Sequence, residues 1–152
     1  MRNFIYCTFW AGIIAVLGVV ALKNQLDLGP VVFGLGIIPL LGLLMARRSF
    51  KGAVPDLVFG AVDTGLLTIP MLWGSMFFGV AGALAGGIIG DALSDGIAGF
   101  FEGSIAQWLR NKGIEESREA VTSALGKMAG CLLGAGLVLS IALAFGIRPV
   151  FT

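Results

Sequence analysis

Between residues 4 and 146 the chain is a succession of long apolar runs separated by short polar breaks. About twenty apolar residues make a helix that crosses the hydrocarbon core of a bilayer. Five such segments can be drawn, at 4–22, 30–46, 57–78, 80–109 and 119–146, with breaks at 23–29, 47–55, 74–82 and 110–117. The second is short and holds Pro39, so little tilt or a kink is expected there. Composition agrees: 57% of the 152 residues are hydrophobic and 12% charged, whereas roughly a quarter of a soluble domain is charged. The expected fold is an all-α, polytopic helical membrane protein with about five transmembrane helices and the lipid bilayer as its surroundings. Two helices would occupy 1–55, and a three-helix core 56–152.

Basic residues orient such a chain, because they stay on the cytoplasmic side. Arg2, Arg47, Arg48, Lys51, Arg110, Lys112 and Arg118 fall on one side, Lys23 and Arg148 on the other. That predicts a cytoplasmic N-terminus. The first apolar run, "FIYCTFWAGIIAVLGVVAL", is longer than the core of a typical secretory signal. It reads as an uncleaved first helix, with a cleavable signal as the alternative. No Arg- and Ser-rich transit stretch precedes it, which favours a prokaryotic plasma membrane. A net charge of +1 argues against a nucleic-acid partner. The absence of histidine removes the commonest metal ligand and general base. Cys7 and Cys131 lie far apart in apolar runs and read as packing residues.

The stretch "GDALSDGIAGFFEG" (90–103) places three acids, Asp91, Asp95 and Glu102, in an apolar segment with no base among them. On a helix Asp95 lies about 40° and Glu102 about 20° around from Asp91, so the three share one face. Gly87, Ser94 and Ala98 fill the same face and leave it open. Asp63 in the third segment is expected at the depth of Glu102, within reach if the two helices pair tightly. Each ionised acid near a helix centre costs roughly 2.5–3.5 kcal/mol. Four together would cost about 10 kcal/mol, comparable with the whole stability of a small protein. Lys127 is the one base near them, so the acids are protonated, line a hydrated cavity, or hold a cation. An all-oxygen set suits a hard ion such as Ca²⁺ or Na⁺. The expected ligands are Asp63, Asp91, Asp95 and Glu102, with Thr64, Thr68 and Ser94 as neutral oxygen donors. Pro70 would add a freed carbonyl at Leu66. The bland alternative is that these polar groups only hydrogen-bond neighbouring helices.

Gly82, Gly86 and Gly90 form one ladder of small residues, and Gly126, Gly130 and Gly134 another. Such ladders let helix backbones approach closely. The sequence leaves open whether they do so within one chain or across a dimer; a two-fold homodimer would supply a second set of carboxylates. "GIEESREA" is expected to place Glu115, Glu116 and Glu119 in the first turn of the last helix.

Two catalytic patterns come near and fail. Intramembrane aspartyl proteases carry GxGD, but here the glycine stands one step out, at Gly87 before Gly90-Asp91. CDP-alcohol phosphotransferases read DxxDGxxAR; here the first spacing is too long and Gly99 replaces the Arg. The chain is not expected to be an enzyme or to hold a resident cofactor.

Three stretches, in order, resemble the transmembrane protein 65 family: "VFGAVDTGLLTIP", "GGIIGDALSDGIAGFFEGSIAQWL" and "GKMAGCLLGAG". Ser94 and Asp95 match that family's Ser-Asp pair, and "GCLLG" (130–134) falls where its closing helix has the same pattern. The resemblance covers a little over half the chain. It implies an inner-membrane protein linked to sodium–calcium exchange, with a cation site at Asp63, Asp95 and Glu102. The chain departs at Thr64, where the family has Asn, and at Asp91, where it has Asn or Gln. The expected function is cation transport, Ca²⁺ against Na⁺ or H⁺, by a homodimer. The alternative is a scaffold or regulatory subunit of another transporter.

Overall fold

The computed structural model describes residues 1–113 and 119–147. Those residues are helical, with no strand among them. The elements are α1 (Arg2–Lys23), α2 (Leu28–Leu35), α3 (Ile37–Met45), α4 (Phe50–Asn111) and α5 (Ala120–Ala144). Four helical stretches are long and apolar enough to cross a membrane: α1, the α2–α3 pair taken together, α4 and α5. Away from water a backbone must satisfy its own polar groups, and the α-helix does so within one segment. Large apolar side chains cover much of the outside, Phe4, Phe78, Val80, Ile88 and Phe100 among them.

The second segment is divided at Gly36, between α2 and α3 and just ahead of Pro39, where the backbone keeps helical angles (φ −63°, ψ −20°). Short turns join α1 to α2 and α3 to α4. In each, a residue with a side chain takes the left-handed conformation, Gln25 at φ 52° and Arg47 at φ 53°. At the second, the amide of Arg47 donates to the Leu44 carbonyl and that of Arg48 to the Leu43 carbonyl. This closes the end of α3 in the way glycine usually does.

α4 is a hairpin of two arms, 50–78 and 80–111, which meet at Gly79 (φ 58°, ψ −140°). The 74–82 break expected from the sequence is this single residue. The arms pack antiparallel through small residues: Gly74 lies on the backbone of Gly82, and Gly86 on the carbonyl of Pro70. A Cβ on Gly90 would stand 2.7 Å from Pro70 Cγ. The first glycine ladder thus closes the hairpin within one chain.

α5 lies at the centre and packs against every other helix. Its ladder seats it parallel to the first arm of α4, Gly126 on Ala53, Gly130 on Leu57 and Gly134 on Ala61. Its other side takes α2 antiparallel, where a Cβ on Gly29 would stand 2.5 Å from the Ser140 amide nitrogen and one on Gly36 2.7 Å from Leu133 Cγ. The boundary drawn near residue 55 is therefore not a gap in the packing: α5 joins the N-terminal helices to the hairpin. The main core cluster, Trp10, Leu43, Ala53, Val121 and Leu125, sits at the end where α1 and α5 begin. There the Tyr6 hydroxyl donates to the Gly42 carbonyl at 2.7 Å.

Glu119 is the N-cap residue of α5, not part of its first turn, and it pairs with Arg48 at 2.5 Å. Glu115, Glu116 and Arg118 lie outside the described residues, as does Arg148.

Candidate functional site

Gly79 decides which residues of the two arms meet. Asp63 stands sixteen residues before it, and Ser94 fifteen and Asp95 sixteen after it. All three therefore lie about 23 Å from the turn, near the midpoint of the arms. Asp63 and Ser94 are buried, 8% and 1% exposed, and the Ser94 hydroxyl donates to Asp63 Oδ1 at 2.5 Å. Asp95, Asp91 and Lys127 are close enough to Asp63 to act on it electrostatically. No basic group among the described residues forms an ion pair with it within 4 Å.

The second arm turns a stripe of every fourth residue toward the first: Gly82, Gly90, Ser94, Ala98 and Ala106 are buried, and Gly86 and Glu102 partly so. A four-residue step is longer than the helical turn of 3.6, so this stripe winds slowly round the helix. Asp91 and Asp95 are left beside it and stand exposed. Read as a fixed face, all three acids of the arm point together; on the winding stripe Glu102 turns inward while Asp91 and Asp95 do not.

Glu102 is also not at the depth of Asp63. α4 begins at Phe50, ahead of Pro55, instead of near 57, which lengthens the first arm and shifts its levels. Glu102 lies level with Asp56 instead, each twenty-three residues from Gly79, about 35 Å along the arm. Lys127 of α5 reaches between them, its Nζ 3.9 Å from Asp56 Oδ1 and 3.9 Å from Glu102 Oε2. The same ammonium stands 4.2 Å from the Phe59 ring centroid. The Ser123 hydroxyl donates to Asp56 Oδ1 at 2.7 Å.

The neutral donors divide as well. Thr64 lies beside Cys131 of α5. The Thr68 hydroxyl donates to the Thr64 carbonyl at 2.6 Å, so its proton is used within its own helix. Pro70 packs against Gly86 and Gly90. Of the seven side chains expected to hold a cation, the structure joins Asp63 to Ser94 directly, sets Asp91 and Asp95 nearby and leaves Thr68 bonded within its own helix. It assigns Glu102 to a second group and Thr64 to the α5 interface. Among the described residues no three His, Cys, Asp or Glu side chains converge closely enough to hold a metal ion. Within a single chain the expected four-carboxylate cluster does not form.

Asp56, Ser123 and the bridging part of Lys127 escape the sequence reading, since 56 falls at the edge of an expected break. One signal was present: Asp56 and Asp63 are seven residues apart, the spacing that puts two side chains on one side of a helix.

No family model, no curated protein and no solved structure matches the chain.

Proposed function

We propose that the chain crosses the membrane five times, α4 counting twice, and moves cations through the carboxylates of the α4 hairpin, Ca²⁺ in exchange for Na⁺ or H⁺. The observation that carries this reading is Asp63: a buried acid at the hairpin midpoint, bonded to a serine hydroxyl and not ion-paired to any base among the described residues. Asp95 is level with it, and Asp91 one turn nearer Gly79. At that level Asp63, Asp91 and Asp95 are the ligands, with Ser94 adding a neutral oxygen. Glu102 is the ligand or gate at the cytoplasmic end. The resemblance to the transmembrane protein 65 family points to the same chemistry.

A hydrocarbon surround does not tolerate Asp91 and Asp95 as ions on an open helix face. A second copy related by a two-fold axis would cover that face and bring its own acids to it. The site is then a property of the dimer, which accounts for its absence from a single chain. The turn after α3, the two ends of α4 and the start of α1 carry Arg2, Arg47, Arg48, Lys51, Arg110 and Lys112, which supports a cytoplasmic location for that end.

In proteoliposomes, Asp95→Asn is expected to abolish Ca²⁺ and Na⁺ flux while the protein still assembles; flux equal to wild type would remove the carboxylate mechanism. A second reading is favoured by the absence of a three-ligand cluster in one chain: a regulatory subunit whose exposed acids meet basic residues of another transporter. The purified protein would then move no ion alone, and Asp95→Asn would lose the co-purifying subunit.

A further inference from the structure

Lys127 of α5 is placed between the two arms of α4, at one end of the proposed path. Its ammonium bridges Asp56 and Glu102 at 3.9 Å each. Both distances exceed the roughly 2.7–2.9 Å of a tight charge-assisted hydrogen bond. Lys127 therefore shares itself between two acids without closing on either. The two are not equivalent. The Asp56 side chain is 10% exposed and is held by Ser123 at 2.7 Å, so it is a fixed anchor. The Glu102 side chain is 33% exposed and that of Lys127 42%, so this half of the bridge faces the open end and can part. Two carboxylates against one ammonium leave a net negative charge. The Phe59 ring, 4.2 Å away, offers its face to the cation when one acid lets go.

We infer that Lys127 is a tethered counter-ion that competes with the transported cation for Glu102. With the path empty, the ammonium holds Glu102 and closes the cytoplasmic end. A metal cation arriving at Glu102 displaces it toward Asp56 and Phe59, and its return expels the ion. Lys127 is thus a positioning residue that sets apparent affinity and release. This rests on the transport reading above.

The test measures the half-saturating Ca²⁺ and Na⁺ concentrations for flux in proteoliposomes, and for thermal stabilisation of the purified full chain. Lys127→Gln removes the competitor and is expected to lower both by about tenfold, the order of effect a nearby opposite charge has on a carboxylate. Lys127→Arg keeps the charge and adds a fork that grips a carboxylate with two bonds, so it is expected to raise them. Should Lys127→Gln fail to fold, Asp56→Asn with Lys127→Gln spares the buried acid from standing unpaired and is judged on the same measurement. Half-saturation unchanged or raised in the neutral variant, beside wild-type flux that Asp95→Asn abolishes, overturns the gate and leaves the transport reading intact. No flux from wild type overturns both.

Discussion

Asp63 and Ser94 separate two quantities that usually move together, stability and function. A buried carboxylate that lacks a base is held in place at a cost, and replacing it with the amide of the same shape keeps the acceptor for Ser94. Asp63→Asn is therefore expected to leave the melting temperature in detergent unchanged or higher while flux is lost. Ser94→Ala acts in the other direction, leaving the acid without its donor. It is expected to cost about 1 kcal/mol, the range for a single buried or interhelical hydrogen bond, read as a lower melting temperature. A fall in stability from Asp63→Asn as large as that from Ser94→Ala would mean that the charge itself holds the hairpin together. That acids belonged near the centre of this chain was legible, since an apolar run with unpaired carboxylates is a local pattern. Their partners were not, because a partner depends on which residue of the facing arm stands at the same level. Levels counted from the turn at Gly79, instead of from a segment start drawn seven residues, about two turns, too late, pair Asp63 with Ser94 and not with Glu102.

At the scale of elements, the hairpin hangs on Gly79, whose φ 58° and ψ −140° suit a residue without a Cβ. Gly79→Ala has room around it, so its penalty comes from backbone strain alone, about 1–3 kcal/mol. Gly130→Val has the opposite cause: the added atoms meet the backbone of Leu57 and Ala61, which cannot turn aside. It is expected to prevent α5 from seating on α4, with loss of monodisperse protein, whereas Gly18→Ala, with nothing within 4 Å, should behave as wild type. Thermal unfolding followed by circular dichroism ranks the three, and a Gly130→Val protein as stable as Gly18→Ala would refute this packing. Helix identity and the two glycine ladders were readable from the sequence because length, hydropathy and a four-residue spacing are properties of one segment. The hairpin register was not, being fixed by one dihedral pair at 79. Asp56 was hidden for a related reason: the helix continues through Pro55 and includes a residue that fell between the expected break and the expected segment.

For the whole molecule the decisive surface is the outer face of the second arm of α4. It carries Asp91 and Asp95 exposed next to Leu84, 62% exposed, and Ile88, 72% exposed. Lipid suits the last two and not the first two, and water suits the first two and not the last two. In the proposed dimer a second copy meeting this face would resolve the conflict, since Leu84 and Ile88 would pack across the axis while the acids of both chains surrounded an ion. Cross-linking tests the arrangement directly. With Cys7 and Cys131 replaced by Ala, Ile88→Cys is expected to give a disulfide-linked dimer in the membrane, strengthened by Ca²⁺ and weakened by Asp91→Asn with Asp95→Asn. Val16→Cys, equally placed in an exposed apolar row but on α1, is expected to stay monomeric. Cross-linking through Val16 and not Ile88 would move the contact to α1. Asp91 and Asp95 would then face a different partner, the basic subunit of the regulatory reading, and an ion site shared between two copies of this chain would be ruled out.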